Sequence, residues 1–219
     1  MRKVAFLNNR GGTGKTTFAV NLAIPLSRRV KVLFIDTDVD QASGMNWLLG
    51  RGKKFNPMQI YKYEGGNMDC VNGKCSEVLK RFGNKDKYDV AVIDGRPQSS
   101  IIGDTIDCLE RGDLVFCIVD MSDDTIRQAE DLMRALDKAK KEVKKRLIVN
   151  KLTQARISQK LNSKIEQMGY QIFGIVKLTE YIKIAEMGCQ WVGAVRGVTR
   201  TMLKDFFESM AYWIATGEL

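Results

Sequence analysis

A single α/β domain, with a mostly parallel twisted sheet and helices on both faces, is the fold this chain predicts. Three observations carry that expectation. Short runs rich in Val, Ile, Leu and Phe alternate with stretches of helical periodicity, as in a parallel sheet whose crossovers are helices. A glycine-rich turn stands between the first apolar run and the first helical stretch. The 219 residues contain no repeat and no linker-like segment, so 1–219 reads as one domain, long enough to bury about seven-tenths of its unfolded surface.

Taken in order, the apolar run at 3–8 is the first strand, and the first helix follows the glycines at 15–28. A second strand at 31–36 (KVLFID) leads to a helix at 41–49. Residues 51–73, with Gly65-Gly66 and few periodic positions, read as an irregular insertion holding one short strand at most. A helix at 75–83 precedes a third apolar strand at 89–94, whose four consecutive apolar residues place it centrally in the sheet. Helix 99–110, strand 113–118, helix 123–141, strand 145–150, helix 156–168, strand 171–176 and helices 179–187 and 199–216 complete the pattern. The last helix spaces Met202, Leu203, Phe206, Phe207, Met210, Trp213 and Ile214 on one face, which reads as core packing. Asp205, Glu208 and Glu218 stand where a membrane-surface helix would carry Lys or Arg, so no membrane contact is expected.

The chemistry concentrates in NNRGGTGKTT, Asn8 to Thr17. A buried strand that ends in Gly11, Gly12 and Gly14 and restarts as a helix at Lys15 turns several backbone N–H groups into one concavity at a helix N-terminus. Such a concavity suits phosphate. Lys15 is in reach of β- and γ-phosphates, and the Thr16 hydroxyl suits a Mg²⁺ shell, so ATP with Mg²⁺ is the expected ligand. The loop departs from G-x-x-x-x-G-K-[ST] by having Asn9 in place of the first glycine.

Two further strand ends point the same way. The second delivers Asp36 and Asp38 at a carboxyl end, where ligands sit in open α/β sheets, with both carboxylates on one side. The third delivers Asp94 in YDVAVIDGRPQ, a carboxylate suited to holding Mg²⁺ through water. The chain has no histidine, which removes Ser-His-Asp, Cys-His and His-ligated metal chemistry. Carboxylate, lysine, arginine and hydroxyl chemistry remains, and phosphoryl transfer needs little else.

On these residues the chain resembles the ParA/MinD superfamily of dimeric P-loop ATPases, strongly in 3–41 and 88–98 and weakly elsewhere. RGGTGKT is similar to that family's K-G-G-x-G-K-[ST] loop except that Arg10 replaces the signature lysine. The resemblance implies that Gly11, Gly12, Thr13, Gly14, Lys15, Thr16 and Thr17 bind nucleotide, that Asp38 orients the attacking water, and that Asp36 lies near the metal held by Thr16 and Asp94. It further implies that Arg10 reaches the partner's nucleotide across an ATP-state homodimer, with Lys151 as the alternative, and that Asn150 and Lys151 lie by the base. Val39 stands where the family has proline, and Thr179 and Glu180 stand where it has proline and arginine, so those roles are not carried over.

Charge adds a partner. The net charge is +9, and residues 134–164 hold eleven Lys and Arg against Asp137 and Glu142. That block suits non-specific DNA binding through phosphates. The expected function is thus a ParA-type partition or cargo-positioning ATPase, cytoplasmic and nucleoid-associated, reset by a ParB-like or adaptor protein. The loop begins almost at Met1, which leaves no N-terminal helix-turn-helix and argues against operator binding. No stretch approaches the roughly 18 apolar residues of a membrane span, and the first apolar run is too short for a signal peptide. An iron-sulfur reductase or carrier on the same fold is the alternative; it would need cysteines at the dimer face, but Cys70 and Cys75 are loosely spaced, Cys108 follows a helix, and no C-x-x-C exists.

Overall fold

The computed structural model describes residues 1–120, 122–139, 141–152, 171–177, 191 and 199–218. Eight strands form one sheet, in the order β3-β4-β2-β5-β1-β6-β7-β8. They are β1 (Arg2–Leu7), β2 (Val32–Asp36), β3 (Ile60–Tyr63), β4 (Met68–Asn72), β5 (Val90–Asp94), β6 (Leu114–Val119), β7 (Lys144–Leu152) and β8 (Ile172–Lys177). Every neighbouring pair is parallel except β3 with β4. The described helices are α1 (Lys15–Ser27), α2 (Ser43–Leu49), α3 (Cys75–Phe82), α4 (Ser99–Cys108), α5 (Asp123–Lys138) and α6 (Thr199–Thr216).

Alternation along β1 explains the layering. Val4 and Phe6 face one apolar layer with α1, α2 and α6, while Ala5 and Leu7 face the other with α3, α4 and α5. Phe6 stacks on Phe116 with ring centroids 5.3 Å apart, and Phe18 of α1 meets Phe207 of α6 at 5.6 Å, which ties the C-terminal helix to the helix that follows the glycine loop. All six expected strands are present, and six of the eight expected helices are found; those at 156–168 and 179–187 lie outside the described residues.

Three readings need correction. The segment 51–73 holds two strands, β3 and β4, the latter fully buried and paired with β2. β7 starts at Lys144, so Lys144 and Lys145 lie inside the strand, at its amino end, while Lys151 lies near the opposite end, seven residues after Lys144. On α6, Leu203, Phe207, Met210 and Ile214 are buried, but Met202 and Trp213 are 76% and 40% exposed, so the core face is narrower than the spacing suggests. No helix among the described residues is long and apolar enough to cross a membrane.

Candidate functional site

The loop after β1 is held by its own side chains. Asn8 Nδ2 donates to the Ile118 carbonyl at 2.7 Å, while its Oδ1 accepts the Arg10 N–H at 2.8 Å, fastening the loop to β6. Gly14 caps α1 with φ of 108°, and a Cβ there would stand 2.4 Å from Asn150 Nδ2. Glycine is therefore required twice over, by backbone angle and by space. Asn150 uses that closeness to donate to the Thr13 carbonyl at 2.7 Å, and Lys151 Nζ reaches the Gly12 carbonyl.

Lys15 is 5% exposed and donates its ammonium to the Arg10 carbonyl at 2.7 Å. Burial pulls its pKa down to about 8, against the opposing pull of Asp94, Cys117 and Asp38. Two buried oxygens of the same loop, Asn9 Oδ1 and Thr13 Oγ1, have no hydrogen-bond partner. Buried polar atoms without partners are uncommon in native proteins, and here they cluster with a buried cation. The loop is built for an anion from outside.

The carboxylates meet it from the neighbouring strands. Asp36 and Asp94 are directly in register on β2 and β5, and both are buried. Burial pushes the Asp36 carboxyl up to about 6, although it accepts N–H bonds from Asp38 at 3.0 Å, Gly44 at 2.9 Å and Met45 at 3.1 Å. Burial, and then Asp36, push Asp94 well above the usual carboxylate range, while the Thr16 hydroxyl bonded to it opposes the rise. A carboxylate pair in this condition gains from a cation beside it.

One cleft of about 690 Å³ gathers most of these groups: Gly11, Gly12, Gly14, Lys15, Thr16, Thr17, Asp38, Asp94, Asn150 and Lys151 all line it. Three sequence candidates do not. Asp36 sits behind the lining with its oxygens given to backbone, and Thr13 is fully buried. Arg10 turns outward, 60% exposed, and pairs with Asp124 at the start of α5 at 3.5 Å. The cleft also holds residues that sequence reasoning passed over, notably Trp47 and Gln98, while Arg96 belongs to the turn Gly95-Arg96-Pro97, which in sequence resembles the second switch of ParA/MinD proteins. Thr37, between the two aspartates, was passed over as well. Its hydroxyl donates to the Asp94 carbonyl at 2.9 Å and accepts the Arg96 N–H at 2.8 Å. Its place in Asp36-Thr37-Asp38 was the one local signal.

Residues 4–188 match the model of the CobQ/CobB/MinD/ParA nucleotide-binding domain. The chain belongs to this family. The match bears out the resemblance carried by NNRGGTGKTT, and it covers every residue that lines the cleft. Among curated proteins, the chain is 47% identical over 96 residues to the maintenance of carboxysome distribution protein A of Gloeobacter kilaueensis, covering 44% of this chain and 39% of that one. The aligned stretches span well under two thirds of the curated relatives' own lengths. Among solved structures, the septum site-determining protein MinD of Pyrococcus horikoshii, complexed with Mg-ADP, superposes with a TM-score of 0.79 at 17% identity, over 96% of this chain and 94% of that one. A putative plasmid partition protein from Borrelia burgdorferi bound to AMPPNP gives 0.74 at 19%, over 100% and 99%. At these identities the structural likenesses show the fold, a mostly parallel sheet between two layers of helices.

Proposed function

We propose that the chain is an ATPase that dimerises on ATP, binds duplex DNA without sequence preference in that state, and is reset when a ParB-like or adaptor protein stimulates hydrolysis. The observation that carries this reading is the convergence of Lys15, Thr16, Asp38 and Asp94 on one cleft at the carboxyl ends of parallel strands. Lys15 leaves the Arg10 carbonyl for phosphate oxygens, which return to its ammonium the stabilisation that burial removed. Asp38 accepts a hydrogen bond from the attacking water and orients it. Thr16 and Asp94 fit a hard cation, since their donor set is all oxygen and burial leaves the Asp36–Asp94 pair with raised pKa values despite the nearby Lys15; Mg²⁺ held there would neutralise phosphate charge. Asp36 supports from behind, fixing the backbone of the Asp38 loop. Arg10 exchanges Asp124 for the partner's nucleotide, a modest cost because an exposed pair is worth about 1 kcal/mol or less.

The basic block supplies the DNA surface; Lys140, Arg156, Lys160 and Lys164 lie outside the described residues, and several of the described members are already engaged. Arg134 pairs with Glu130 and Asp131, Lys145 pairs with Asp137, and Lys141 donates to the Asp107 carbonyl. Lys151 belongs to the nucleotide cleft. A weak patch on one subunit becomes an effective one when dimerisation doubles it on a single particle. Identity to a carboxysome distribution protein favours a protein assembly as cargo, and the fold shared with a plasmid partition protein is compatible with DNA cargo; the track is DNA in both cases.

The test uses Asp38→Ala, which binds ATP and hydrolyses it slowly enough to hold the ATP state. Loaded with ATP it should sediment as a dimer and bind duplex DNA of any sequence, and the ADP form should not. The log–log salt slope should be near −0.9 for each phosphate neutralised and flatten when Lys141, Lys144 and Lys145 become glutamate. An ATP-loaded dimer with no affinity for DNA at low salt would refute the DNA track.

A further inference from the structure

Arg96 follows Asp94 by two residues and lines the cleft opposite the glycine loop. Its Nη1 lies 2.7 Å from Asp40 Oδ2 and 3.7 Å from Asp38 Oδ1. The backbone is fixed as firmly as the side chain. The Arg96 N–H donates to Thr37 Oγ1 at 2.8 Å, and Thr37 sends both its hydroxyl, at 2.9 Å, and its N–H, at 3.1 Å, to the Asp94 carbonyl. Next in the chain, Pro97 Cγ stands 4.0 Å from where a Cβ on Gly11 would be, so the turn rests against the phosphate loop. Gly95 permits that approach, because a Cβ there would meet the Phe6 carbonyl oxygen at 2.7 Å.

We propose that Arg96 is the positioning residue for Asp38, setting the carboxylate that orients the attacking water; the inference rests on the ATPase reading above. The contacts to Asp38 explain how. Its Oδ1 takes the Arg96 guanidinium and the Gln41 N–H at 3.2 Å, so that one oxygen is held and Oδ2 is left to receive a hydrogen bond from water. Asp40 Oδ2 holds the same Nη1 more closely and so fixes where the guanidinium stands. Arg suits this task better than Lys, since its charge is permanent and its rigid planar head loses less freedom on being held between two carboxylates. Thr37 makes the arrangement a bridge between the two loops that end β2 and β5, so the carboxylate and the cation-holding strand end move together.

The experiment is steady-state ATP turnover, with ATP affinity measured separately on a fluorescent analogue, for Arg96→Ala, Arg96→Lys, Asp40→Ala, Asp38→Ala and the double variant Arg96→Ala/Asp38→Ala. Arg96→Ala should lower kcat by about ten- to thirtyfold, less than the roughly hundredfold or more lost with a proton-handling group itself, with ATP affinity within about twofold of wild type. Arg96→Lys should recover part of the loss, and Asp40→Ala should show a smaller loss of the same kind. The deciding result is the double variant, which should be no slower than Asp38→Ala alone, because residues acting as one unit are not additive. A further loss in the double variant overturns the positioning role and puts Arg96 on the phosphate itself. A loss of ATP affinity matching the loss in kcat/KM overturns it as well. Wild-type protein without turnover would remove the ATPase reading and this inference together, whereas turnover with additive losses removes the inference alone.

Discussion

Two lysines are buried towards opposite ends of β1, Lys3 within the strand and Lys15 at the start of α1, and their surroundings are opposite. Lys3, 5% exposed, bonds Asp113 at 3.1 Å and Glu110 at 3.0 Å. Burial pulls its pKa down, but Glu110 and Asp113 outweigh it, and the net effect is a rise. Lys15, equally buried, holds only a loop carbonyl and falls to about 8. The residue type and depth are the same. What differs is whether a carboxylate bonds the ammonium directly, as at Lys3, or acts on it only from a distance, as at Lys15, and the second arrangement suits an anion from outside. The amino end of the sheet spends its charges on stability, and the carboxyl end holds them in reserve for chemistry.

Exchanging the two lysines for neutral residues is the strongest way to break this comparison. Lys15→Ala should cost about a hundredfold or more in ATP affinity, on the order of 3 kcal/mol for removing a charge-assisted hydrogen bond from a buried site. The thermal unfolding midpoint should hold or rise, since burial disfavours this charge more than its acidic neighbours favour it. Titration of a fluorescent ATP analogue alongside calorimetry reads both, and a fall in stability without loss of affinity would erase the contrast.

Lys3→Met should do the reverse, destabilising the fold by about 1–2 kcal/mol while ATP affinity stays as it was. The cost is held down because Asp113 keeps two backbone donors, the N–H of Lys3 and that of Glu110, each at 2.8 Å. Because the folded pKa of Lys3 is raised, this contribution is fully present below about pH 10.4, the ordinary lysine value, and fades as pH climbs through the folded one. Chemical denaturation at pH 7 and at high pH checks both statements.

The smallest effect sharpens the comparison without mutation. If the Lys15 ammonium must be charged to hold phosphate, ATP affinity should be level below about pH 8 and then fall, by up to about tenfold per pH unit. The proton lost there is that of Lys15. Lys3→Met should retain this profile unchanged, and a profile flat to about pH 9.5 would exclude Lys15 as the titrating group.

The same contrast explains what the sequence made legible. Central strands announce themselves because burial on both faces demands continuous apolar runs, as in VLFID and LVFCIV. The glycine loop was readable because its glycines, Lys15 and Thr16 are consecutive. β4 was hidden because it reads MDCVN, with a charge in a buried strand. Asp69 is tolerated there only because Lys62, Lys87 and Tyr88 reach it, Tyr88 at 2.5 Å from nineteen positions away. The roles of Thr37 and Arg96 were concealed for the same reason, since their partners are brought together by the pairing of β2 with β5. The basic block was countable in the sequence, as was its division between the two ends of β7, but the pairing of Lys145 with Asp137 was not.

That division has an electrostatic consequence. Lys144 and Lys145 sit at one end of a nine-residue strand and Lys151, touching the Gly12 carbonyl, near the other. Seven residue steps along a strand span roughly 23 Å, close to three Debye lengths at physiological ionic strength. A triphosphate in the cleft and a nucleic-acid backbone on the lysines would be almost invisible to each other through solution. On the proposed reading the chain would hold both polyanions at once without mutual repulsion, and any influence of one on the other would have to pass through the protein.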